Sequence, residues 1–148
     1  MPSVKGPLIN RLKTFTDVAS VAGGRVYANR VPQSGDLPCV IVELDNRERY
    51  QTLDGLGGDG SGMNADTFLI RCYAHNSRDA EKIAEDIATN LEDIEGDTIS
   101  DENTIVSRKV EAVVIIAERD DYKGEGLLSD IDINSIEIEV MVQHSPGE

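Results

Sequence analysis

The chain has 148 residues, of which 39% are apolar, 28% charged and 4% aromatic, which supports one globular domain over residues 1–148 and offers no run near the ~18 apolar residues a membrane span needs. Its two cysteines, Cys39 and Cys72, are too few for a disulfide scaffold or a four-cysteine zinc site, and the first residues lack the apolar core of a signal peptide, so a cytoplasmic protein is expected. Residues 1–74 carry eight Lys/Arg and eight Asp/Glu, so the whole net charge of -14 lies in residues 75–148, with six against twenty, and no basic surface for duplex nucleic acid is visible.

In chain order, Pro7 suits a first helical position. Leu8, Leu12, Phe15 and Val18, with Ile9 on the flank, recur at helical spacing up to Gly23-Gly24. A short strand is expected at Arg25–Asn29, a loop at Val31–Gly35, and an extended restart at Leu37-Pro38. Cys39–Leu44 is a nearly continuous β-prone run and reads as an interior strand.

Residues 47–64 are read as a mobile glycine-rich loop holding Gly55, Gly57, Gly58, Gly60 and Gly62. Asp66–His75 then alternates, with Phe68, Ile70, Cys72 and Ala74 on one face. The best helical pattern follows. Asn76 or Ser77 can cap it, and Ala80, Ile83, Ala84, Ile87, Ala88 and Leu91 form an apolar stripe ending near Gly96. Two long β segments, about Ile105–Arg119 and Leu127–Gln143, are joined by a turn at Asp120–Gly124. Ile131 and Ile133 fall in odd phase, while Ile136, Ile138, Val140 and Val142 fall in even phase. A β-bulge at Asn134-Ser135 would reconcile them and put Asp130, Asp132, Glu137 and Glu139 on one face. Residues 144–148 read as a frayed tail. The expected fold is α+β, in the order α-β-β-β-α-β-β, with a mainly antiparallel sheet and two helices on one face.

No constellation for catalysis, metal or cofactor emerges. Gly55, Gly57 and Gly60 fit a dinucleotide loop in spacing only, because the segment runs into a strand rather than opening a helix. The Lys-Ser/Thr of a P-loop is missing, and Asp54 and Asp59 lack calcium-loop spacing. Cys72 and His75 would point to opposite faces of a strand. Arg47 and Arg49, beside the loop, are either partner contacts or plain exposed charges. The acidic second half is either a solvated face or a surface that DNA slides past without sticking.

Several segments together resemble the phage tail terminator, or tail completion, family of long-tailed phages. They are Gly24-Arg25-Val26-Tyr27 after the first helix, Val31-Pro32-Gln33, and Leu37-Pro38 opening a strand. Phe68-Leu69-Ile70-Arg71-Cys72-Tyr73-Ala74 and the Ala80, Ile83, Ala84, Ile87 pattern follow, so the resemblance spans about Leu8 to Gln143. The long Gly/Asp loop and the late acidic residues depart from it. The resemblance implies a structural virion protein, made in the host cytoplasm, with no cofactor. It would form a homohexameric ring on the head-proximal end of the tail tube, stop tube polymerisation, and dock the head–tail connector, with DNA passing through its lumen. On that reading Asp130, Asp132, Glu137 and Glu139 are candidates for the lumen. Arg47, Arg49, Asp54 and Asp59 are candidates for intersubunit contacts. A connector or stopper protein, or a small-ligand domain using the glycine-rich loop, stays open as an alternative.

Overall fold

A computed structural model of the chain describes residues 4–29, 37–49, 64–101, 107–123 and 133–146. Helix α1 spans Lys5–Leu12 and α2 spans Thr16–Val21. Strands β1 (Val26–Ala28), β2 (Cys39–Arg49) and β3 (Asn64–Ala74) follow, and then α3 (Ser77–Leu91), which runs into a 3-10 turn at Glu92–Ile94. The chain closes with β4 (Thr98–Ser100), β5 (Ser107–Lys123) and β6 (Ile133–Pro146).

The architecture is α+β, with two corrections to the expected detail. There are three α-helices among the described residues, because the N-terminal helical pattern is two helices. Phe15 takes an extended conformation (φ -69, ψ 141), and the Thr14 hydroxyl donates to the Arg11 carbonyl at 2.6 Å, a local bond that competes with the helix. The break leaves the buried side intact: Leu8, Leu12, Phe15 and Val18 all stay in the core. Since Phe15 offers no capping side chain, α2 borrows one from α3. Asp86 Oδ2 accepts from the amides of Asp17 (2.8 Å) and Val18 (3.1 Å), placing a carboxylate at the positive end of α2.

The sheet has six strands in the order β1-β2-β3-β6-β5-β4. Only β1–β2 is parallel; the other four pairs are antiparallel. Strand β4 was not expected, and three residues are too few for an alternation signal. The turn expected at Asp120–Gly124 is also corrected, since Asp120 to Lys123 continue β5 and pair with Ile136 to Ile133. The expected bulge at Asn134-Ser135 is absent, because pairing there is continuous on both sides of β6. The register shifts lie instead between Leu44 and Asn46 on β2, and between Val110 and Ala112 and between Ile115 and Ala117 on β5. The phase change at Ile133 thus coincides with the start of a strand rather than a slip within one.

Helix α3 lies on one face of the sheet. Asn76 caps it, accepting from the Asp79 amide at 2.8 Å, and Ala80, Ile83, Ala84, Ile87 and Leu91 are buried as the stripe predicts. Ile83, Ala84, Ile87 and Leu91 meet Phe68, Ile70, Ile138 and Val140 from the sheet in one continuous core, which α1 extends with Leu8 and Leu12. The N-terminal helices end at Gly23 and Gly24, both in the left-handed region (φ 60 and 72), where a side chain would be strained.

Candidate assembly surface

Three arrangements of polar and exposed groups stand out, and each is set by strand register.

The first is buried. Asp66 and His144 continue the inward-facing rows of β3 and β6, in phase with Phe68 and with Val142. His144 therefore belongs to the core of the sheet and not to a frayed tail; it is fully buried, and residues 144–146 are part of β6. Arg108 Nε donates to His144 Nδ1 at 2.7 Å. Because a guanidinium cannot accept, the imidazole carries its hydrogen on Nε2 and donates it to Asp66 Oδ2 at 2.9 Å. The same carboxylate oxygen accepts from the Val4 amide at 3.0 Å, which fastens the start of α1 to the sheet. Arg47, directly opposite Asp66, closes the cluster at 3.4 Å. Burial alone would raise the Asp66 pKa, but the hydrogen bonds from His144 and Val4 and the neighbouring cationic charge outweigh it and hold the carboxyl below its ordinary range. Arg47 thus lies in β2 with an internal role, and not in a loop. Arg49 also lies in β2, whereas Asp54 and Asp59 fall outside the described residues, as do the glycines at 55, 57, 58, 60 and 62.

The second arrangement crosses the opposite, outer face of the sheet. Arg71 on β3 bridges Glu43 on β2 and Glu137 on β6. Arg119 on β5 bridges Glu137 at 2.9 Å and Glu139 at 2.8 Å. Glu137 and Glu139 therefore share a face, as the alternation implies, but they sit in a chain of alternating charge spanning four strands. Asp130 and Asp132 lie outside the described residues. Such pairs are partly exposed and screened by solvent, so they order the face more than they stabilise the fold.

The third arrangement is at the sheet edges. Strand β4 covers only Ser107 to Lys109 of β5; beyond it, Gly96 and Asp97 bond Val110, and Glu95 Oε1 accepts from the Val113 amide. From Val114 to Lys123, no described strand pairs with that edge. Val114 and Ile116 are 46% and 51% exposed there. Between this edge and α3 lies a hollow of about 470 Å³, with Ala84, Ala88 and Ile136 forming its apolar part, and with the carboxylates of Glu81, Glu85, Glu118 and Asp120 outnumbering Arg119 along its walls. At the other edge, β1 pairs with β2 on one side only among the described residues. A second hollow, of about 370 Å³, separates it from α1 and includes Lys13, Tyr27 and Asp101.

The two edges are at the same height. Val26 lies opposite Val40, Val40 opposite Cys72, Cys72 opposite Ile136, and Ile136 opposite Asp120. Ala28 reaches Glu118 in the same way through Val42, Ile70 and Ile138. The same pairings make β1 and β5 antiparallel.

The cysteines carry no chemistry that the surroundings support. Both are buried; burial pushes the Cys39 thiol up to about 11, only partly offset by Arg25, and pushes Cys72 higher. Among the described residues no group of three or more His, Cys, Asp or Glu could hold a metal ion, and no helix is long and apolar enough to cross a membrane.

The family model for tail completion protein gp17 matches residues 6–134, most of the chain and all the elements from the first turn of α1 to the start of β6. The chain belongs to that family. As a tail completion protein it is a structural component of a phage-type tail. A chain from the virion of a native gene transfer agent particle has a similar fold, at TM-score 0.55 and 13% identity, covering 93% of this chain and 91% of that one. No curated protein sequence matches.

Sequence reasoning missed Asp66, His144 and Arg108 as a cluster, although the inward phase of the first two is readable. It also missed the matched height of the two edges, which depends on pairings that no single segment encodes.

Proposed function

We propose that this tail completion protein assembles as a homohexameric ring on the head-proximal end of the tail tube. There it ends tube polymerisation and presents the surface on which the head–tail connector docks. The family match over residues 6–134 carries this reading. Two exposed sheet edges on one small domain support it, because a head-to-tail interface needs two different patches and closes into a ring when the rotation allows. The protein acts by assembly and performs no catalysis.

Within the ring we assign the outer face of the sheet to the channel. Three carboxylates, Glu43, Glu137 and Glu139, alternate there with Arg71 and Arg119. Such a face offers passing phosphates neither a cationic patch to adhere to nor a dense field to oppose them.

Negative-stain electron microscopy of the concentrated protein, alone and mixed with purified tail tubes, tests the assembly. Six-fold rings with a central opening, or caps on tube ends, are expected. A uniform monomer under both conditions would overturn the reading.

A further inference from the structure

Resting on the ring reading, we infer that the subunit contact is made by sheet extension: β1 of one copy adds, antiparallel, to the uncovered edge of β5 in the next. Val26, Tyr27 and Ala28 would stand opposite Asp120, Arg119 and Glu118, so that successive six-stranded sheets continue around the ring.

Four observations on different levels agree. On the side of β5 away from β6, the outward-facing half of the backbone donors and acceptors beyond Val113 has no described strand beside it, and an extended edge bearing exposed Val114 and Ile116 is a surface that soluble proteins otherwise blunt or cover. The direction is right, because β1 and β5 of one copy are antiparallel, and a rotation about an axis along the strands keeps them so. The height is right as well. A closed ring has no rise from one subunit to the next, so segments that meet must be level, and Val26–Ala28 is level with Glu118–Asp120. Finally, the charges are complementary. The β5 edge carries Glu118 and Asp120 with Glu81 and Glu85 across the hollow, net acidic because its one lining cation, Arg119, is paired with Glu137 and Glu139. Beside β1 stand Lys13, which lines the hollow with Asp101, and Lys5, whose Nζ donates to Asn29 at 3.3 Å, with Arg25 immediately before the strand. A two-fold pairing of β5 with β5 would set the same acidic walls against each other, which disfavours a symmetric dimer.

Disulfide trapping tests this directly. The double variant Ala28→Cys/Glu118→Cys, oxidised under conditions where the wild type forms rings, is expected to give a cross-linked ladder ending at the closed ring. Neither single variant should cross-link. A second arm avoids cysteine: Glu118→Lys/Asp120→Lys should lower the ring fraction by about tenfold or more. Adding Lys5→Glu/Lys13→Glu to that variant should restore it. All five positions are solvent-accessible or half-buried, and an unchanged thermal melt of the monomer confirms the fold. Rings without cross-links, or rings indifferent to the lysine pair, would overturn the edge contact and leave the ring reading standing. Dimers from Glu118→Cys alone would replace it with a two-fold contact. No rings and no cross-links would overturn both.

Discussion

Asp66 is the carboxylate on which His144 and Arg47 converge in a buried cluster that Arg108 completes, and it also anchors the Val4 amide just before α1. Replacing it by alanine removes the anion that these groups face and lets Val4 go. We expect a loss of about 3–5 kcal/mol in urea unfolding, the usual effect of breaking a buried ionic pair. The pH dependence follows from the direction of its shift. The folded carboxyl titrates below its unfolded value of about 3.9, so its contribution is complete above that pH and disappears as pH falls through the lower, folded value. Stability of the wild type should therefore drop steeply in that acid window. The Asp66→Asn variant should show a shallower slope there; an unchanged slope would mean that other carboxylates dominate. The inward phase of Asp66 and His144 was readable, since each extends an apolar alternation by one step. Their partnership was not, because Asp66 and His144 are 78 positions apart and meet only once β3 and β6 are registered. His144 was misplaced because Pro146 and Gly147 look like a chain end, although β6 runs through His144 to Pro146.

Among the elements, α2 is the one whose stability depends most on a distant residue. Six residues are too short to hold themselves as a helix, and the cap is supplied by Asp86 from α3. Asp86→Ala should cost about 1–2 kcal/mol, at the upper end for lost caps. Asp86→Asn, which keeps an acceptor oxygen, should recover part of it. Equal losses in the two variants would point to charge rather than hydrogen bonding. The sequence pattern gave no sign of the break between α1 and α2, because apolar spacing reports which side is buried and Leu8, Leu12, Phe15 and Val18 stay on that side across the break. Helix α3 was legible in its cap and stripe, but it stops at Leu91, short of the expected end at Gly96, because Glu92–Ile94 tighten into a 3-10 turn. The β5–β6 hairpin was legible in existence but not in extent. Asp120 and Asp121 look like turn formers, yet pairing with β6 keeps them extended.

For the whole molecule, the dominant quantity is a charge of -14 concentrated in residues 75–148. Six such subunits repel one another over distances that salt screens, with a Debye length of about 8 Å at physiological ionic strength. Contacts of a few ångströms between opposite charges are screened less. Assembly should therefore strengthen as NaCl rises from about 10 mM to about 150 mM and change little beyond that. Light scattering across that range checks it, and association strongest at the lowest salt would show that short-range attraction outweighs the net repulsion.

Strand β6, like β3 beside it, is flanked along nearly its whole length on both sides, by β3 from Asn134 to His144 and by β5 from Ile133 to Pro146. Its amides can trade hydrogen for deuterium only when the sheet opens as a unit, so they record global stability. Val26, Tyr27 and Ala28, on a three-residue rim strand, should instead label early in the isolated subunit. Once a neighbour lies alongside, the Ala28 amide, which points away from β2 where those of Tyr27 and Asn29 point toward it, should slow while β6 stays as it was, making it an isotopic gauge of ring closure that needs no image and no cross-link.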